Sequence, residues 1–358
     1  MSATTHETIQ EARAGAISLR WIIGARDDMV WFIGSVLSSY ALFAVYVAGL
    51  VPLVPMVAAW AILIDAPHVF GTFSRTYFDR TERRARKRLL TGSLLFFVVG
   101  PVMVLAGLGL VFFFLAALWA YYHLVKQHYG FMVLYKKKNN DLARTDNALD
   151  RLFLLLAFTY PFVAFVATDP EAMRRVPAPL YAWAGGLARL LLAATIAVAV
   201  AWLARQAQRA VMGQPLNVPK YLLLAAAIPM HWVVLLTPMP HKPIAIVAIL
   251  TIYHNLQYHR LIWFHNKKYS MGDDRRERYG GAELISRRLI YYIAFGILFG
   301  LWYQGPRQYI GYKNSPAELS TQLLASFFWG YAFVHYYLDS KIWRVRRDPA
   351  LGKALHMD

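Results

Sequence analysis

The chain has 358 residues, of which 58% are hydrophobic and only 16% are charged, so it is too apolar for a soluble protein of this length. A formal net charge of +18 would suit a nucleic-acid partner. The basic residues, however, lie at the ends of apolar segments, which is typical of cytoplasmic loops, and we expect no nucleic acid. The sequence has no cysteine, which excludes disulfides, iron–sulfur clusters and thiolate metal sites.

The N-terminal residues 1–28 lack the apolar core of a signal peptide. They are interpreted as a cytoplasmic leader with a short amphipathic helix around Ile17 to Ile23. Ten segments of bilayer length follow and predict membrane-spanning helices at about 29–50, 52–73, 89–108, 110–134, 152–168, 180–203, 221–236, 244–264, 289–304 and 320–340. The sequence therefore predicts an all-α, polytopic transmembrane bundle, with residues 29–340 as one domain.

The distribution of lysine and arginine predicts the orientation of this bundle. The leader and every second loop, together with a basic tail at 341–358, hold thirty of these residues, whereas the opposite loops hold five. Because basic residues collect on the cytoplasmic side, both termini should be cytoplasmic. We expect an integral, multi-pass protein of the inner or plasma membrane.

Seven histidines lie near the predicted cytoplasmic ends of four spans that run in the same direction. They are His68 on the second span, His123 and His128 on the fourth, His254, His259 and His265 on or just after the eighth, and His335 on the tenth. Ionisable side chains inside a membrane are costly and usually functional. By contrast, His231 and His241 are assigned to the opposite side. The stretches 122–140 and 253–269 resemble each other and suggest an internal repeat.

Two carboxylates accompany these histidines. Asp65 precedes His68 by three residues and Asp339 follows His335 by four, so each pair lies on one helical face. Each carboxylate is expected to bind a metal or to orient an imidazole. The nine predicted metal ligands or orienting groups are His68, His123, His128, His254, His259, His265, His335, Asp65 and Asp339.

The spacing within the histidine pairs raises a geometric problem. Positions five residues apart diverge by about 140° on an ideal α-helix, so His123 and His128 cannot both face one site. Either a π-bulge realigns them, or one residue of each pair binds the metal while the other faces a neighbour. His265 stands about 16 Å along the axis from His254, so a shared site would need a bend. Separately, Gly296 and Gly300 form a GxxxG that predicts close helix packing.

The pattern around Asp65–His68, His123–His128, His254–His265 and His335–Asp339 resembles that of integral-membrane, histidine-rich non-haem iron enzymes. These include fatty acyl desaturases, alkane hydroxylases, sterol and carotenoid hydroxylases, and bacterial β-carotene oxygenases. The resemblance implies iron, usually two ions, that activates O2 against a lipid-like substrate. The chain lacks the adjacent His-His pair of the desaturase and hydroxylase boxes and has more spans, which indicates a divergent or separate family.

The leading hypothesis is a membrane-embedded di-iron oxygenase, hydroxylase or desaturase that acts with O2 on an apolar substrate from the bilayer. It would take electrons from an external donor protein that docks on the basic cytoplasmic face. The first alternative is a proton- or metal-ion-coupled transporter. The second is a membrane protein that binds haem through two histidines. A metal hydrolase or lipid transferase is a third, for which the sequence offers no nucleophile motif.

Overall fold

A computed structural model describes residues 17–270, 272–345, 349–354 and 357. These residues are almost entirely helical, which confirms the predicted all-α class. Their paired strands are two residues long, β1 (Ile17–Ser18) and β2 (Leu216–Asn217), and they run parallel. Most of the leader, and part of the tail at 341–358, lie outside the described residues.

The α-helices of the described chain follow one another with short connections. In chain order they are α1 (Ala25–Asp27), α2 (Val36–Val47), α3 (Leu53–Trp60), α4 (Ala66–Thr76), α5 (Arg80–Ala85), α6 (Lys87–Ser93), α7 (Phe96–Leu105), α8 (Gly109–Lys138), α9 (Arg144–Thr168), α10 (Pro170–Met173), α11 (Tyr181–Val211), α12 (Val218–Leu236), α13 (Lys242–His265), α14 (Arg275–Tyr279), α15 (Gly281–Ser286), α16 (Leu289–Lys313), α17 (Leu319–Ile342) and α18 (Pro349–Ala354). Two π-helical segments, Asp28–Ile33 and Ala61–Asp65, and two 3-10 segments, Ala178–Leu180 and Asn266–Ser270, continue or join these helices.

Seven helical segments of the described chain are long and apolar enough to cross a membrane. They are Ala25–Val47, Leu53–Thr76, Lys87–Leu105, Gly109–Lys138, Arg144–Thr168, Ala178–Val211 and Val218–Leu236. They correspond to the first seven predicted spans. The last three predicted spans lie in α13, α16 and α17, which are as long but carry more polar side chains. These helices confirm the predicted polytopic class, and the number of spans stays a prediction.

The described chain divides into two compact units. The first contains residues 17–36, 124–173 and 178–238, and the second contains 37–123, 174–177 and most of the chain from 239 onward. The predicted single domain at 29–340 stays a prediction. In the first unit, α11 packs along α9 and leaves most of its surface exposed, as expected for a lipid-facing helix.

Buried ion pairs connect α8, α9 and α12 in the first unit. The ammonium of Lys220, which is fully buried, donates to Asp141 at 2.7 Å and to Asp150 at 3.1 Å. Lys136 pairs with the same Asp150, and Arg209 donates to Asp141 at 2.6 Å. Because buried charges require partners, this network fixes the ends of these helices against one another.

The short amphipathic helix expected around Ile17 to Ile23 is absent from the described residues. Ile17 instead pairs with Leu216 in the parallel strands. The backbone N–H groups of Ile22 and Ile23 donate to the carboxylate of Asp28 at 2.6 and 3.0 Å. Because a side chain accepts from these N–H groups, they need no helical carbonyl as a partner. The helix predicted from the amphipathic pattern is therefore wrong.

Helix α4 forms the centre of the second unit, and every one of its residues is buried. The π-helical segment Ala61–Asp65 leads into it, and Pro67, which lacks an N–H, stands in its first turn. Gly296 and Gly300 of α16 pack on this junction. A Cβ on Gly296 would lie 2.8 Å from that of Pro67, and one on Gly300 would overlap the carbonyl oxygen of Ile62. The GxxxG therefore provides close helix packing, as predicted.

Candidate metal centre

Four histidines from four helices of the second unit come together in one group. They are His68 on α4, His123 on α8, His254 on α13 and His335 on α17. One ring nitrogen from each lies within 4.8 Å of the corresponding nitrogen of every other. Two nitrogens on opposite sides of an ion with bonds of about 2.1 Å would be about 4.2 Å apart. The group therefore has the size of a single coordination sphere.

The four imidazoles form a closed ring of neighbours, in which His68 and His123 each lie beside both His254 and His335. The ring of His68 lies 4.5 Å from that of His335 and 4.7 Å from that of His254, measured between centroids. The ring of His123 lies 4.7 and 5.2 Å from the same two rings. His68 and His123 lie opposite each other, 6.5 Å apart. This arrangement encloses a point that all four residues can reach.

The closest pair of nitrogens in this group is compatible with a metal or with a hydrogen bond. The Nε2 atoms of His68 and His335 are 2.8 Å apart. Adjacent ligands at right angles around an ion with bonds of about 2.1 Å would be separated by about 3.0 Å. Without an ion, one of these nitrogens donates its proton to the other.

A hydroxyl beside His335 determines which of its nitrogens faces the group. Thr72, one turn after His68 on α4, donates its only proton to the carboxylate of Asp339 at 2.7 Å. Its oxygen also lies 2.8 Å from Nδ1 of His335, so this nitrogen carries a proton and donates it to Thr72. The hydroxyl of Tyr258 donates to the same carboxylate at 2.8 Å. His335 therefore presents the lone pair of Nε2 to the other imidazoles, as a metal ligand must.

An unsatisfied imidazole nitrogen supports a bound ion. Among the described residues, Nε2 of His123 is buried and has no hydrogen-bond partner. A buried polar atom without a partner costs about 1–3 kcal/mol. Coordination to a metal would satisfy such a nitrogen, and four imidazoles are a ligand set that suits zinc, copper, iron and nickel.

Two predicted ligands lie elsewhere because both helices are regular. His128 belongs to the first unit, where its Nδ1 donates to the carbonyl of Leu124 at 3.0 Å and its ring lies 5.7 Å from that of His231. His259 donates from Nε2 to the carbonyl of Ile64 at 3.1 Å, and its Nδ1 accepts from Tyr292 at 3.0 Å. It has no lone pair left for a metal. The π-bulge considered for these pairs is absent from α8 and α13. One member of each pair joins the group while the other faces a neighbour.

The remaining predicted residues do not belong to the group. His265 ends α13, and its ring lies 5.7 Å from that of Trp343. Asp65, at the end of the π-helical segment, accepts a hydrogen bond from Asn255 at 3.2 Å. Asp339 is connected to His335 through Thr72, which is consistent with an orienting group, one of the two roles predicted for it.

Thr72, which links His335 to Asp339, was not among the residues predicted from the sequence. Its spacing of four residues from His68 places it on the same helical face, and that spacing could have signalled its role. In the sequence, Arg75 is one of the lysines and arginines at the predicted cytoplasmic ends of the spans. The structure buries Arg75 almost completely, at 2% exposure.

Comparison of the chain with models of protein families, with curated proteins and with solved structures finds no match. The function must therefore be argued from the chemistry of the site. All four donors are neutral imidazole nitrogens, so the charge of a divalent ion would be offset only by nearby groups such as Asp339.

Proposed function

We propose that this protein is an integral-membrane, metal-dependent oxidoreductase that uses O2 to hydroxylate or desaturate a lipid-like substrate. The observation that carries this proposal is the group of four imidazoles, contributed by four separate helices, whose nitrogens lie within 4.8 Å of one another. Bringing four such side chains together in an apolar protein is costly unless something uses them.

The donor set favours one ion in this group in place of the two that the family resemblance implied. Four nitrogens of a single sphere are available, and no carboxylate belongs to the group among the described residues. Imidazole binds iron well, and we propose iron as the resident metal. When bound, it would supply one-electron chemistry toward O2. The residues around it would act by holding His335 in the ligating tautomer and by excluding water.

An apolar cavity of about 330 Å³ in the second unit supports an apolar substrate. Its walls include Met56, Trp60 and Ile64 from the α3–α4 region and Ile252 of α13, two residues before His254. Ile64 also contacts His259 through its carbonyl. The cavity thus lies on the two helical segments that lead to His68 and His254, and its apolar walls suit a lipid-like substrate.

The topology assigned to this proposal is the ten-span bundle with both termini in the cytoplasm. Helices α13, α16 and α17 have 24, 25 and 24 residues, enough to cross a bilayer, although their polar side chains lower their hydropathy. The basic loops would then face the cytoplasm of an inner or plasma membrane. An acidic electron-donor protein would dock on that face and supply the two electrons that hydroxylation or desaturation needs.

The packing of the imidazoles favours a bare ion over haem. A macrocycle held by two histidines separates their rings, whereas adjacent rings here lie 4.5 to 5.2 Å apart and contact one another. Metal-ion transport would use the same four imidazoles, so the test must separate uptake of the ion from chemistry at the ion.

The test is elemental analysis of protein purified in detergent without chelators. We expect about one iron per chain in wild type and a loss of most of it in His123→Asn. The matched control His128→Asn removes the fourth-span histidine outside the group and should retain the metal. Equal metal content in all three proteins would refute the assignment of the metal to this group, and no metal in folded wild type would refute metal binding.

Oxidase chemistry and transport are then separated with the loaded protein. Consumption of O2 with a reductant and a lipid substrate, absent in His123→Asn, is the result expected for the oxidoreductase. Uptake of iron into liposomes without such consumption would refute the oxidoreductase and favour transport. A Soret band in the purified protein would favour haem.

A further inference from the structure

Arg75 is a buried cation whose hydrogen-bonding capacity is largely unused. It lies near the C-terminal end of α4 and is 2% exposed. Its Nη2 donates to the carbonyl of Ile342 at 3.1 Å, and its guanidinium lies 3.9 Å above the ring of Trp343. Among the described residues, its Nε and Nη1 have no hydrogen-bond partner, and the ion pairs of that part of the chain do not include Arg75. Guanidinium has five N–H donors, so most of them remain available.

A buried guanidinium needs more than these contacts. Removing a cation from water is strongly unfavourable unless an anion or several acceptors replace the water. The ring of Trp343 attracts the cation but accepts no conventional hydrogen bond, and one carbonyl satisfies one donor. These contacts therefore do not replace the water that the buried guanidinium of Arg75 has lost.

The carboxylates near Arg75 are occupied by other donors. Asp79 accepts from the backbone N–H of Thr81 at 2.8 Å through Oδ1 and from the hydroxyl of Tyr269 at 2.9 Å through Oδ2. Asp339 accepts a hydrogen bond from Thr72, the residue that contacts His335. Among the described residues neither carboxylate forms an ion pair with Arg75, so these two anions leave its Nε and Nη1 donors unused.

A second cation crowds the same region. Burial and the nearby Arg75 guanidinium lower the pKa of the Lys268 ammonium, and its closest carboxylate contact is to Asp79 at 3.6 Å. His265, three residues before Lys268, has a buried Nδ1 without a hydrogen-bond partner among the described residues, and its ring lies 5.7 Å from that of Trp343. An anion between these groups would accept hydrogen bonds and relieve the repulsion between the two cations.

We infer that Arg75, Lys268 and His265 form a binding site for an oxyanion, a carboxylate or a phosphate, near the ends of α4, α13 and α17. Arginine is the side chain that best matches such anions, because its planar donors fit their oxygens. The anion could be free in solution or belong to the headgroup of an acidic lipid. The inference does not depend on a metal in the four-imidazole group. It also gives His265 a role that the metal centre does not.

The test measures the melting temperature of full-length, purified protein in two arms. The first adds inorganic phosphate in detergent, with chloride adjusted to keep the ionic strength constant. The second compares nanodiscs of phosphatidylcholine with nanodiscs that also contain phosphatidylglycerol. A ligand that binds only the folded state raises the melting temperature in a saturable way. We expect this in at least one arm for wild type, and the arm that responds identifies the source of the anion.

Variants then locate the effect. Arg75→Gln should abolish the rise, whereas Arg84→Gln, which alters an exposed arginine, should respond as wild type does. Because Arg75→Gln removes a buried side chain, Lys268→Gln provides a second variant, and it should weaken apparent affinity for the same anion by at least about threefold. The inference is overturned if neither arm raises the melting temperature of wild type, or if both Arg75→Gln and Lys268→Gln respond with wild-type affinity.

Discussion

Replacing Thr72 by valine removes the hydroxyl that holds His335 in its ligating tautomer, while keeping the shape of the side chain. In wild type this oxygen lies 2.8 Å from Nδ1 of His335 and donates to Asp339 at 2.7 Å. Without it, the fully buried Nδ1–H loses its acceptor, since the nearest carboxylate oxygen of Asp339 is 3.7 Å away. The imidazole can then move its proton to Nε2, which removes the lone pair offered to the metal.

The expected magnitude follows from the position of Thr72 behind a ligand. Loss of such a partner lowers metal affinity about 10- to 100-fold, or by about 1.4 to 2.7 kcal/mol. The assay is a competition titration of the metal against a chelator, in detergent at constant pH. Thr72→Ser keeps the hydroxyl and serves as the matched control, with affinity within about threefold of wild type. If Thr72→Val binds as tightly as Thr72→Ser, the tautomer argument is wrong.

Three further outcomes are expected. Gly300→Ala should lower the free energy of unfolding by about 1–3 kcal/mol in denaturant titrations, since its Cβ would overlap the Ile62 carbonyl oxygen, whereas Gly305→Ala, in open space on the same helix, should be neutral or slightly stabilising. Asp141→Asn should cost about 3 kcal/mol, because it leaves buried Lys220 with fewer anionic partners. Burial opposes ionisation of Asp141, but the cations Lys220, Lys136 and Arg209 together outweigh it and hold the pKa of this carboxyl below its usual value. Its contribution is therefore complete above a pH of about 4 and lost as pH falls further, so acid titration should destabilise wild type more steeply than Asp141→Asn. Finally, a chelator should lower the melting temperature of metal-loaded wild type, and restoring the metal should reverse the change.

The class of this protein is determined by its sequence. Apolar runs of bilayer length can fold only as helices in a membrane, because every backbone polar group must then be paired within the segment. The first seven predicted spans correspond to the seven helices that are long and apolar enough to cross a membrane. The position of the candidate site was also predictable in outline. Four histidine-bearing helix ends were expected to meet, and His68, His123, His254 and His335 do come together.

Which histidine of each pair enters the group was decided by helical geometry and by the neighbours. An uninterrupted α8 turns His128 away from His123, so a spacing that looks like a ligand motif delivers one ligand. His259 is turned away from His254 on the regular α13 in the same way, and its ring has hydrogen-bond partners of its own. The carbonyl of Ile64, next to the π-helical turn before α4, accepts its proton. Sequence spacing predicts that one residue of each pair turns away but does not identify it, and the partner of His259 lies nearly two hundred residues away in the chain.

The surroundings of the site were decided by tertiary structure alone. Thr72 becomes a link between His335 and Asp339 only because α4 and α17 pack against each other. Arg75 reads in sequence as one of several basic residues at a membrane boundary, yet it is enclosed with unused donors. Periodicity and composition predict which segments and faces are exposed to lipid or water. They do not report which polar side chains from distant segments share the same buried space, and that is what determines the chemistry available here.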